Sequence, residues 1–401
     1  MRTNWASATA IALLVSLSTS AAHAEEVTAW RLFISDHADP KVTVVDAIDG
    51  EKLDTLEIKG PASLHRSKSG RTVFAVQGSA GVVAGIVSGI CFEDHGEHGD
   101  IDVEAPKLAG IEITGKKPSH FVEHDGDFAV FFDGEGVARI IAEKSVLEGK
   151  PDFSEVKTDA PQHGVAVDYG SHVLLSEPNR EKPDELPVGI RVADKAGAPI
   201  GGSHACPDLH GEASSGNILA FACATGLLVV SHGDGSPAIR HLPYADSLPD
   251  GKTTTLIGGR GLQYFLGNYG ADKVVLIDPT IESDAFRLIN LPTRRVHFGS
   301  TPFVPSSPTS SPRTASFTDV VKGEIANSLK LTAPYSMDGH WSDPRPRVAV
   351  AGDKIVVTDP LQGVLHLVDA TSFEKTGDIA VEGKPFDIVS VGGSGQTHGG
   401  E

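Results

Sequence analysis

A short phrase keeps returning along this chain: proline, one to three residues, histidine, then an apolar strand. It reads Pro61-Ala-Ser-Leu-His65, Pro118-Ser-His120, Pro161-Gln-His163 and Pro207-Asp-Leu-His210, and once more with an acid as Pro385-Phe-Asp387. Consecutive histidines lie 55, 43 and 47 residues apart. A period in this range marks a propeller or an array of like units, each burying its apolar face only against its neighbours. A purely structural repeat needs turn residues but no imidazole, so the phrase raises a chemical question as well as a fold.

Between the phrases, apolar and polar residues alternate in short runs bounded by Gly, Pro, Asn and Asp, the pattern of half-buried antiparallel strands. Residues 31–35, 41–46 and 53–58 form three strands before the first phrase strand, and residues 387–391 form a phrase strand with none after it. Joining the termini completes one four-stranded blade, closes a ring and removes open sheet edges. Counting three-strand sets predicts an all-β propeller of eight four-stranded blades. The count becomes seven if the Pro/Ser/Thr-rich stretch 297–335 is only an insertion. With 44 Gly and 25 Pro, the composition suits such a turn-rich fold, and residues 25–401 are expected to form one domain.

The first 24 residues read as a secretory signal peptide. Arg2 gives a positive start, residues 8–17 are largely apolar, and Ala22-His23-Ala24 is a small-x-small cleavage site before Glu25. No stretch is long and apolar enough to span a bilayer. The expected location is a periplasm, and the expected form a soluble monomer. The formal charge of −19 and an aromatic content of 6% speak against nucleic acid and anionic lipid as partners. They favour cations, which gains meaning beside seventeen histidines. Of the three cysteines, Cys206 and Cys223 flank a turn at Ser214-Ser215-Gly216 and are expected to form a cross-strand disulfide. Cys91 is left odd, a weak further ligand.

In a blade, the phrase strand is innermost and its proline opens it at one mouth of the central channel. Aligned inner strands would bring His120, His163 and His210 together there with Asp387. His65, offset by a residue, ranks below them, and His297 and His340 are further candidates. Two to four N/O ligands of this kind suit Zn²⁺. A single histidine at such a place is more often a hydrogen-bond donor to a neighbouring loop carbonyl; four in register favour a metal. A second constellation is the run from Cys91 to Glu104, with His95, His98 and six carboxylates including Asp94. It reads as a long exposed loop on the opposite face, where the tail residue His398 could join it in a more mobile metal site. No Gly-x-Ser-x-Gly, His-Glu-x-x-His or phosphate-loop motif is present.

Several longer motifs are more specific. They include Trp30-Arg-Leu-Phe-Ile-Ser-Asp-His37, Glu93-Asp-His-Gly-Glu-His98-Gly-Asp, His163-Gly-Val-Ala-Val and Leu186-Pro-Val-Gly-Ile-Arg. Cys206-Pro-Asp-Leu-His210-Gly-Glu-Ala and Met337-Asp-Gly-His340-Trp-Ser-Asp-Pro-Arg-Pro-Arg complete the set. With these, nearly the whole chain after residue 24 resembles the AztD-type periplasmic zinc metallochaperones. The resemblance implies a non-enzymatic β-propeller that binds zinc and hands it directly to the solute-binding protein of a zinc-uptake ABC transporter. A metal-dependent propeller hydrolase of lactonase type, and a metal-free interaction propeller, are the alternatives.

Overall fold

The computed structural model describes residues 25–95, 99–150, 152–259, 262–281, 283–291, 303–306, 314–319, 322, 324–335 and 343–397. The predicted signal peptide lies outside these residues. Among them, strands are organised mostly into sheets of consecutive antiparallel neighbours, the closing blade being extended by the hairpin Ile90–Asp94 and Gly99–Val103 through a parallel pairing, and the lone helix is Glu143–Leu147. No helix among the described residues is long and apolar enough to cross a membrane.

Seven blades have four strands each. The blade that carries His120, for example, runs Pro118–His124, Asp127–Phe132, Val137–Ala142 and Phe153–Lys157 from the inside out. The expected eighth regular blade is corrected to a three-stranded sheet, Phe303–Ser306, Thr314–Asp319 and Glu324–Lys330. Its proline-rich sequence explains the irregularity. Pro305 lies in the edge strand, where a missing N–H removes no ladder bond. Ring closure is as expected from the termini. The 13-residue strand Pro385–Thr397 pairs with Glu25–Asp36, which continues into Lys41–Asp46 and Lys52–Glu57.

Burial follows each strand's place in its blade. Second strands are covered on both faces by neighbouring blades, so all six residues of Thr72–Gln77 are buried. Outer strands such as Lys52–Glu57 show mostly exposed residues with a buried leucine. Phe74, Phe128, Phe131 and Phe132 are fully buried between blades. Each contributes roughly 2–3 kcal/mol from area removed from water. His366 is among the polar side chains buried inside this scaffold. His366 Nδ1 lies 2.6 Å from Asp378 Oδ1 and its Nε2 lies 3.3 Å from Asp359 Oδ2. Tyr335 donates its hydroxyl to the same Asp359 at 2.6 Å. Burial opposes the charged imidazole, but its bonds to the two aspartates raise His366 above the ordinary histidine range.

Candidate metal centre

Pro118 opens the innermost strand that carries His120. Its pairing to the next strand steps from Pro118↔Phe132 to Phe121↔Val130, so one extra residue is inserted at Ser119–His120. Such a bulge twists the strand locally and re-aims the side chain beside it. His163 stands in the turn before Ala166–Tyr169. Gln162 fixes that turn, donating its backbone N–H to Asp133 O (3.2 Å) and its side-chain amide to Ser176 O (2.9 Å). His210 precedes Glu212–Ser215, and its backbone N–H donates to Ala222 O at 3.1 Å. The disulfide Cys206–Cys223, with Cα atoms 4.9 Å apart, clamps the same turn; the pairing is the expected one, but it is not cross-strand, because Cys206 stands between strands Pro199–Ala205 and Glu212–Ser215. Gly211 has φ +98°, and a Cβ there would stand 2.7 Å from Thr254 O. A glycine therefore lets the next blade's loop come close enough to meet His210.

Three histidines from three successive blades converge. One nitrogen from each of His120, His163 and His210 lies within 4.8 Å of the other two. Each ring is anchored through Nδ1. His210 Nδ1 donates to Thr254 O at 2.8 Å. His163 Nδ1 lies 2.7 Å from Asp133 Oδ2. His120 Nδ1 lies 3.3 Å from Glu212 Oε1. Ser119 donates a short hydrogen bond to Asp133, tying that anchor to the bulge. A backbone carbonyl can only accept, so His210 carries its proton on Nδ1 and turns a lone pair inward at Nε2; the carboxylates impose the same tautomer on the other two. His120 Nε2 and His163 Nε2 then face each other at 3.2 Å. At that separation the pair is satisfied either by a proton on one Nε2, donated to the other, or by a cation bound to both lone pairs. The N···N edge of tetrahedral Zn²⁺ with Zn–N of ~2.0–2.1 Å is about 3.3 Å, which this gap matches. Imidazoles braced by a carboxylate or carbonyl on the far nitrogen are the usual form of histidine metal ligands.

The electrostatics favour positive charge beside Glu212, which a proton or a cation can supply. Burial disfavours charge on His120, but the adjacent Glu212 outweighs it and raises the ring above the ordinary range. Burial likewise opposes Glu212's charge, yet His120, His210 and His65 around it hold its carboxyl below the usual value. Burial lowers His210, with the Thr254 bond acting against it.

The other expected ligands are distributed differently. Asp387 does not join the trio: its Oδ2 accepts the Leu64 N–H at 2.9 Å, which holds two inner strands together. His65 stacks on Phe121 with ring centroids 4.9 Å apart. The acidic run is a hairpin, Ile90–Asp94 and Gly99–Val103, where a long open loop was expected. Its apolar Ile90 and Ile101 are both buried, which is why the segment pairs. His95 Nε2 lies 2.9 Å from Asp100 Oδ2 and 3.9 Å from Glu93 Oε2. Asp94 pairs across the hairpin with Gly99. His98, His398, His297 and His340 lie outside the described residues. The tail does reach the hairpin, since Gln396 pairs with Asp100 in parallel, about 4.8 Å away. The same strand starts at the opposite mouth of the channel with Pro385, nine residues from Ser394. Burial raises the Cys91 thiol, which disfavours a thiolate ligand. Sequence reasoning missed Asp133, Glu212 and the Thr254 carbonyl. Glu212 was visible only as part of His210-Gly-Glu-Ala.

No family model matches the chain. The zinc chaperone AztD of Citrobacter koseri is 56% identical over 390 residues, 96% of this chain and 92% of that protein. The crystal structure of Citrobacter koseri AztD is similar at a TM-score of 0.90, with 56% identity over 93% of this chain and 100% of that one. The structure of its apo form gives a TM-score of 0.89 at 54% identity, covering 92% and 100%. The dihydro-heme d1 dehydrogenase NirN shares the fold alone, with a TM-score of 0.55 at 14% identity over 89% of this chain and 74% of that one. The chain belongs to the family of the zinc chaperone AztD.

Proposed function

We propose that this protein is a periplasmic zinc carrier that holds Zn²⁺ on the Nε2 atoms of His120, His163 and His210 and delivers it to the solute-binding protein of a zinc ABC transporter. One observation carries the reading: three inward-facing imidazole nitrogens within 4.8 Å, each braced on its far side. Membership in the AztD family supports the same cargo. Delivery needs tight binding together with fast handover. Three ligands leave a fourth tetrahedral position through which an incoming ligand can displace the first three one at a time. The acidic surface raises the local concentration of cations. The hairpin, with His95, His98, Asp94 and the tail's His398, is assigned a mobile, weaker role on the opposite face.

Zinc titration of tag-free protein tests this. Wild type is expected to bind zinc tightly, and His163→Ala and His210→Ala to lose that affinity while keeping their thermal transition. Deletion of residues 93–100 is expected to slow transfer to a solute-binding protein more than it weakens binding. Wild-type occupancy below about 0.1 zinc per chain, with no uptake on titration, would return the reading to a metal-free interaction propeller. A hydrolase would instead turn over ester or lactone substrates in a zinc-dependent way. The channel cavity is lined by His65, Phe121 and Glu123 and by none of the three histidines, which disfavours that alternative.

A further inference from the structure

The central channel holds a cavity of about 380 Å³ between four inner strands. Its wall includes His65 and Arg66 on one strand, Lys68 in the turn after it, Phe121 and Glu123 on the next inner strand, and Ser390 on the closing strand. His65 is the histidine of this wall, and it is near enough to His120 and Glu212 to interact with both electrostatically. It stacks on Phe121, the residue after His120, at 4.9 Å and an interplanar angle of 25°. Among the described residues neither of its ring nitrogens is hydrogen-bonded, whereas each of the trio has Nδ1 held. The backbone beneath it is fixed, because Leu64 N–H is bonded to Asp387. The ring is thus positioned by stacking and backbone while its nitrogens stay uncommitted.

Resting on the trio as the zinc site, we propose that His65 is the transfer ligand of this protein: it takes the open fourth position on zinc, then draws the ion from the trio toward the channel cavity. No redox or covalent step is involved. One Zn–N bond to His65 forms, one Zn–N bond to the trio breaks, and the imidazoles remain neutral. The unbraced ring suits this role. A braced imidazole is a stronger, better oriented ligand, whereas an unbraced one binds weakly and lets go. A transfer ligand changes the barrier and leaves the end states alone. Its loss must therefore slow zinc entry and zinc release together and leave the equilibrium affinity in place.

Stopped-flow exchange of Zn²⁺ between the full chain and EDTA tests the proposal, with His65→Ala and His65→Phe beside wild type and His163→Ala. The phenylalanine keeps the stack on Phe121 and removes only the nitrogens, so it controls for folding. Expected is a fall of at least about tenfold in both rates for both His65 variants, with Kd within about threefold of wild type. Added free imidazole should restore exchange in His65→Ala but not in His65→Phe, where the space is filled. Unchanged rates would make His65 a bystander. Weaker affinity with faster release would make it a static fourth ligand. Either result overturns the proposal. If His163→Ala binds zinc as wild type does, the trio reading itself has failed, whatever His65 does.

Discussion

Removing the Asp133 carboxylate isolates the value of bracing. Asp133 accepts from His163 Nδ1 at 2.7 Å and from the Ser119 hydroxyl. The His163 side chain is 40% exposed against 17% for His120, so packing restrains it least and it depends most on its anchor. In Asp133→Ala the lost charge-assisted bond is worth roughly 1.5–3 kcal/mol. Re-ordering the freed ring on binding costs about 0.5–1.5 kcal/mol more. Part of the first figure is regained through water at this exposed site. A net loss of about 2 kcal/mol, roughly thirtyfold in zinc affinity, is expected, inside the ten- to hundredfold range for such partners. Asp133→Asn should lose less. Its amide oxygen can still accept from His163, while its NH₂ faces a Ser119 hydroxyl free to turn and accept. Competition titration against a chromogenic zinc indicator gives the affinities, and a melting curve checks the fold. An alanine variant within threefold of wild type would refute the view that bracing, not mere convergence, makes the site.

Other perturbations probe separate links. Gly211→Ala forces a Cβ to within 2.7 Å of Thr254 O at a φ of +98°, so it should push the Thr254 carbonyl off His210 and weaken zinc binding; unchanged affinity in titration would contradict this. Replacing Cys206 and Cys223 by serine opens a clamp of sequence separation 17, which chain entropy values at about 3 kcal/mol, read as a lower midpoint in denaturant. Zinc affinity should fall as pH drops, beginning above the ordinary histidine range because Glu212 raises His120 and favours its proton over the metal, measured by titration at stepped pH. For His366, buried with Asp359 and bonded outward to the exposed Asp378, the raised imidazole stabilises the fold below the ordinary histidine range, and that contribution is lost as pH climbs through its raised value. Burial works against both aspartates, yet their hydrogen bonds, His366's among them, hold them below the ordinary carboxylate range. Their contribution is therefore present above that range and lost as acid protonates them. His366→Gln should flatten the stability–pH curve on both sides, followed by thermal unfolding at stepped pH.

Much of this molecule was legible before any coordinates. The Pro-His spacing determined an array of like units, and the three strands left over at one terminus with the single phrase strand at the other closed it into a ring. That arrangement made His120, His163 and His210 a convergent set, and the symmetric placement of Cys206 and Cys223 about a turn marked the disulfide. The anchors were not legible. Glu212 reaches His120 across 92 residues of chain, Thr254 reaches His210 across 44, and Asp133 reaches His163 across 30. These are contacts between blades, set by side-chain direction and loop approach rather than by local pattern. The same limit explains Asp387, which matched the phrase in sequence but spends its carboxylate on the Leu64 N–H. It also explains the acidic run, whose charge suggested an open loop although buried Ile90 and Ile101 fold it into a hairpin. Periodicity determines which strands exist and where each begins. Only the packed ring decides which way a ring nitrogen points and what holds it there.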